Sequence, residues 1–260
     1  MFEVTLEVLA LLLLAGFAAG FVDAIAGGGG LITVPVLLLT GANPVTALAT
    51  NKVQGVFGAA TAALSYARGG HVDLRSQIIP ALISFAASIG GALLVTVLPT
   101  TLIRVILPAV LVGIAVFFAT KRGLDDSDRA RRMAPGIFML TLVPLIAGYD
   151  GLLGPGTGSF FMLAFVSLGG YGILKATAHT KLLNFASNAG ALLAFAVVAT
   201  PWWLTGLAMG VAQIFGARLG ARLAQRIGAK LIKPLLVVTS LVLATKLFWD
   251  MFQTSAASPF

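Results

Sequence analysis

Two aspartates, two lysines and two glycine clusters recur in this chain at nearly constant spacing. Asp23 stands four residues ahead of the run Gly27, Gly28, Gly29 and Gly30. Asp150 stands four residues ahead of Gly154, which opens the cluster Gly154, Gly156 and Gly158. Lys52 and Lys181 follow the clusters; the aspartates lie 127 positions apart and the lysines 129. Each residue type has a defined chemistry. An aspartate can pair with a lysine, cap a helix or carry a proton. A lysine with no acidic residue in its own stretch suits an anion, because its ammonium is a compact point charge for oxyanions. Consecutive glycines break a helix, each costing about 1 kcal/mol relative to alanine. The break leaves backbone N–H groups at the start of the next helix, where anions are favoured.

Polar residues around the two lysines extend the pattern. Asn51 and Gln54 flank Lys52, while Thr180, Asn184 and Asn188 surround Lys181. Thr157 and Ser159 interleave with the second glycine cluster. All of these, with the glycines and both lysines, are candidate ligands for a small anionic substrate. Asp23, Asp150 and His179 are candidates for proton or ion coupling, since histidine titrates near neutrality. The alternatives are ordinary: lysines that snorkel to an interface or keep an aspartate, aspartates that only cap, a histidine that only packs.

No catalytic residue, cofactor or metal is expected. The run Gly27–Gly30 lacks the Gly-Lys-Ser or Gly-Lys-Thr continuation of a phosphate-binding loop. The second cluster follows no strand, so it is a poor dinucleotide fingerprint. Ser159 has no base nearby in sequence, and the chain has no cysteine.

Positioning these residues falls to apolar helices. The chain is 58% apolar and 10% charged, against about 25% charged in soluble domains. A crossing helix needs about 20 apolar residues. Long candidates lie near 4–24, 44–67, 77–98, 102–120, 134–150, 176–199, 202–217 and 231–249; shorter apolar runs lie near 31–41 and 158–170. The first candidate has no Lys or Arg ahead of it, so it reads as part of the mature protein rather than a signal peptide. The net charge of +8 is explained by basic residues beside apolar spans, so no nucleic-acid partner is expected. Trp202 and Trp203 read as interfacial anchors.

The halves match in order. Ala47, Ala49 and Lys52 correspond to Ala176, Ala178 and Lys181, and Leu102-Ile103-Arg104 to Leu231-Ile232-Lys233. Basic loops fall at 68–75, at the joint carrying Lys121, Arg122, Arg129, Arg131 and Arg132, and at Arg218 to Lys233. If all are cytoplasmic, equivalent loops lie on opposite faces. The expected fold is therefore an all-α polytopic membrane protein of two inverted repeats, each a glycine-broken helical hairpin plus three transmembrane helices. The repeats would span 1–120 and 134–260, joined by a solvated cytoplasmic linker over 121–133, with both termini external. Glycine-broken helices at membrane depth mark a transporter's binding site, because freed backbone must face protein or water.

The stretch from Ala15 to Pro35, followed by Ala47-Leu-Ala-Thr-Asn-Lys52, resembles the TauE/SafE sulfite exporter family of bacterial inner-membrane proteins. The stretches Gly148 to Phe160 and Lys175 to Asn184 look like that family's second repeat. The resemblance covers nearly the whole chain and is closest to uncharacterised members. It implies secondary transport, usually export, of sulfite or related sulfur-containing anions such as organosulfonates, coupled to an ion gradient. The rivals are a passive anion channel and a membrane scaffold or enzyme subunit.

Overall fold

The computed structural model describes residues 2–95, 116, 120 and 125–256. Among these residues the long elements are all helices: α1 Leu6–Ala26, α2 Gly30–Leu39, α3 Pro44–Arg68, α4 Ile78–Leu94, α5 Pro135–Leu152, α6 Thr157–Ser167, α7 Ile173–Val198, α8 Trp203–Ile227 and α9 Ala229–Ala256. The expected span near 102–120, the triplet Leu102-Ile103-Arg104, and Lys121 and Arg122 lie outside the described residues. Among the described residues four helices, α1, α5, α7 and α8, are long and apolar enough to cross a membrane, the make-up of a multi-pass membrane protein.

Local chemistry sets the boundaries. Thr5 caps α1 by accepting from the Val8 N–H, and Asn43 caps α3 by accepting from the Thr46 N–H at 2.9 Å. Pro44 opens α3, where its missing N–H costs nothing. α1 ends at Gly27, which has φ of +78°. The short α2 and α6 start at Gly30 and Thr157, directly after the two breaks. α8 runs ten residues past the expected 202–217, because its buried face continues through Gly220, Ala221 and Ala224 while Arg218, Arg222 and Arg226 stay off that face.

The packing follows the duplication. α1 packs on α8, and α5 packs on α4; α3 packs on α8, and α7 packs on α4; α3 also packs on α7. Exchanging the halves maps each contact onto another. Small residues make the crossings close, as lipid-embedded helices require. A Cβ added to Gly91 would fall 1.9 Å from the Gly148 carbonyl oxygen, and one added to Gly216 would fall 2.0 Å from that of Phe17.

The joint between the halves is more than a solvated connection. Asp126 accepts from the Leu174 N–H at 3.0 Å and the Ala229 N–H at 3.1 Å, so one carboxylate ties the starts of α7 and α9. Asp128 accepts from the Gly172 N–H and pairs with Lys175. The hydrogen bond from Lys175 holds the Asp128 carboxyl below the usual carboxylate range. At the other end of the molecule, Glu3 accepts from the Leu204 and Thr205 N–H groups at 3.1 Å each, capping α8. These acidic residues sit at helix starts, where the macrodipole favours them.

Candidate functional site

The two glycine breaks meet. A Cβ on Gly27 would lie 2.5 Å from the Gly158 carbonyl carbon, and one on Gly158 would lie 2.6 Å from the Gly27 Cα. Any side chain at either position would drive the two half-helices apart. Ser159 fastens the contact by donating to the Ala26 carbonyl at 3.1 Å.

The lysines and aspartates pair across the halves, not within them. Lys52 Nζ lies 2.8 Å from Asp150 Oδ1, with both side chains almost fully buried. Lys181 Nζ lies 3.6 Å from Asp23 Oδ2 and donates to the Asp23 backbone carbonyl. Pairing inside one half, Lys52 with the nearby Asp23, does not occur, because the crossing of α3 over the second break puts Asp150 against Lys52.

Each aspartate has further donors, and Asp23 caps its break. Asp23 Oδ1 accepts from the Gly28 N–H at 3.0 Å and the Gly29 N–H at 3.2 Å. These are the N–H groups expected to face an anion, and the anion they meet here is Asp23. Asp150 Oδ1 accepts from Thr157 Oγ1 at 2.9 Å, and Oδ2 accepts from Ser187 Oγ. Pairing and capping, open alternatives in sequence, therefore hold together for Asp23, while Asp150 pairs and accepts only from side chains.

A small polar cavity of about 30 Å³ lies between the breaks. It is lined by Asp23, Asp150, Gly28, Gly29, Gly30, Gly154, Thr157 and Gly158 from the break motifs, by Asn51, Asn184 and Asn188 from the lysine helices, and by Gly55 and Gln213. Most sequence candidates thus converge on one place. Gln54 joins the wall indirectly, donating to Asn51 Oδ1 at 3.2 Å and accepting from Gln213 Nε2 at 3.0 Å. Thr33 donates to the same Asn51 oxygen at 2.7 Å. Lys52 and Lys181 stand behind the aspartates they pair with.

The other candidates lie off the cavity. Thr180 is fully buried, and its hydroxyl has no hydrogen-bond partner among the described residues. Gly156, with φ of +87°, shapes the entry to α6. His179 is elsewhere: its ring packs on Tyr171 and Phe165 and its Nδ1 bonds the Lys175 carbonyl at 2.9 Å. No group of three or more His, Cys, Asp or Glu side chains that could hold a metal occurs among the described residues.

Sequence reasoning missed Gln213, Ser187 and Thr33. Gln213 carried a usable signal. It is a lone amide within an apolar span, where polar side chains are expensive and usually functional.

The family model described as "Sulfite exporter TauE/SafE" matches residues 12–247. The chain belongs to the TauE/SafE family. Within the matched span lie both break motifs, both ion pairs and the cavity. The TauE/SafE chain is 52% identical over 248 residues to "Probable membrane transporter protein ORF9" of Sinorhizobium sp, covering 95% of each chain. It is 42% identical over 250 residues to "Probable membrane transporter protein YfcA" of Escherichia coli K12, covering 96% of this chain and 93% of that one. A "Probable membrane transporter protein" of Haemophilus influenzae is 39% identical over 248 residues, 95% of this chain and 97% of the relative. No solved structure matches the TauE/SafE chain.

Proposed function

We propose that this protein is a secondary transporter of a small sulfur-containing anion, coupled to an ion gradient whose sense sets the direction of net transport. The observation that carries the reading is the meeting of two broken helices around a small polar cavity walled by two crosswise lysine–aspartate pairs. The formal charges of Lys52, Lys181, Asp23 and Asp150 sum to zero. A bound anion adds one uncompensated negative charge, and burying such a charge costs several kcal/mol. A proton taken up by one aspartate restores neutrality and frees its lysine for the substrate. Coupling follows from that exchange, and a passive channel has no need of it. The cavity size supports sulfite over a longer organosulfonate, since 30 Å³ holds only about two or three water-sized centres.

The repeats are read as inverted, with the joint facing the cytoplasm of a bacterial inner membrane and both termini outside. The charge of the loops supports this. Reporter fusions after residues 125 and 225 are expected to read cytoplasmic and a C-terminal fusion external. A cytoplasmic C-terminus contradicts the inverted arrangement.

A ligand screen on purified protein tests the substrate class. Sulfite is expected to raise the melting temperature, by an amount equivalent to about 2.7 kcal/mol at one hundred times its dissociation constant. Sulfate, thiosulfate, sulfoacetate and taurine serve as comparisons. Stabilisation by taurine alone overturns the choice of a small oxyanion.

A further inference from the structure

The two aspartates are equivalent in sequence but not in surroundings. Asp150 receives three donors, from Lys52, Thr157 and Ser187, and its side chain is 2% exposed. Asp23 receives two backbone N–H groups on Oδ1, and its side chain is 14% exposed. Its Oδ2 has Lys181 at 3.6 Å and no hydrogen bond among the described residues, while the lysine donates instead to the Asp23 carbonyl.

The difference is written in the sequence. The positions in the first half that correspond to Ser187 and Thr157 are Gly58 and Gly30, so the two hydroxyls have no counterpart. A side chain at Gly58 would have to displace the end of Gln213. A Cβ there would lie 2.2 Å from Gln213 Oε1. Gln213 occupies the place a first-half serine would need.

We propose that the two pairs divide the work: Lys52–Asp150 is a fixed strut, and Lys181–Asp23 is the pair that opens to admit the transported oxyanion. The inference rests on the anion-transport reading above. The Asp23 carboxylate stands between Lys181 and the cavity, so an oxyanion reaches the ammonium by taking the place of Oδ2. Asp23 can give way because the Gly28 and Gly29 N–H groups still hold Oδ1 in place while Oδ2, which the lysine leaves, takes the compensating proton. Asp150 lines the cavity too, but it has no backbone donor and its side chain is only 2% exposed. Leaving Lys52 would strand both charges, which costs far more than an exchange of one oxyanion for another.

Two readouts test the division on the full-length purified protein. In the first, sulfite affinity is measured for Asp23→Asn and Asp150→Asn. Asp23→Asn removes the carboxylate that competes for Lys181, so sulfite is expected to bind about tenfold more tightly. No gain is expected for Asp150→Asn. An equal gain in both variants, or a gain confined to Asp150→Asn, overturns the proposal. The second readout needs no substrate. Melting temperatures of both single variants are compared with those of the charge-free doubles, Lys52→Met/Asp150→Asn and Lys181→Met/Asp23→Asn. The strut predicts a large loss in Asp150→Asn, or failure to fold, recovered in its double variant, and a smaller loss in Asp23→Asn. Equal losses overturn the division. If the losses are unequal but sulfite stabilises neither wild type nor variants, the substrate reading fails while the strut assignment stands supported.

Discussion

Lys52→Met is expected to destabilise the protein by about 3–5 kcal/mol, because it leaves the Asp150 carboxylate buried beside two hydroxyls and no cation. The second change that repairs it is Asp150→Asn, not Asp23→Asn. With both charges gone the site is neutral, and replacing a whole buried pair is often neutral or stabilising. Asp23→Asn in the Lys52→Met background would instead remove a carboxylate that faces Lys181, leaving two unmatched charges. Melting curves of the three variants check this. Recovery by Asp23→Asn, with none by Asp150→Asn, would contradict the crosswise pairing.

Gly27→Val is expected to abolish transport and cost several kcal/mol. Two effects add. The position has φ of +78° and ψ of 157°, a region essentially reserved for glycine, where an L-residue costs of order 1–3 kcal/mol. Its Cβ would also sit 2.5 Å from the Gly158 backbone, and overpacking of a tight interior typically costs 1–3 kcal/mol. Gly41 separates the two. It has φ of +98°, but a Cβ there meets nothing within 4 Å. Gly41→Ala is therefore expected to lose about 1–2 kcal/mol with transport retained, whereas Gly27→Ala loses both. Equal behaviour of the two alanine variants in melting and flux assays would mean that the contact between the breaks is incidental.

What could be read from the chain was local. Pro44, the two glycine clusters and the lengths of the apolar runs locate α2, α3 and α6 to within a few residues, because helix breaks and starts depend on adjacent residues. The repeat also located both lysines and both aspartates, since equal spacing survives in sequence. Which lysine meets which aspartate did not. Lys52 and Asp150 are 98 positions apart, and their contact depends on how the helices of the two halves pack together, which no periodicity encodes. Ser187 escaped notice for the same reason: a serine in a helix is unremarkable until Asp150 is seen beside it. His179 drew attention by type, yet it packs among aromatic rings near the joint. The acidic residues of the joint read as solvation, but Asp126 and Asp128 fasten helix starts that lie dozens of residues away.

The fold brings four charged side chains, three of them buried, into one electrically neutral set. Two half-helices end against each other at Gly27 and Gly158, and the crossing helices bring a lysine from each half to the other half's aspartate. On the proposed reading, an internal carboxylate gives way to an external oxyanion only if a compensating charge moves too.

Uptake of sulfur-labelled sulfite into liposomes holding the purified protein tests this most directly. With a proton gradient imposed and no sulfite gradient, labelled sulfite is expected to accumulate above its external concentration, and collapsing the gradient should abolish accumulation. Sulfite that equilibrates across the membrane but never accumulates, whatever gradient is imposed, would contradict the coupled exchange and leave a passive pathway in its place.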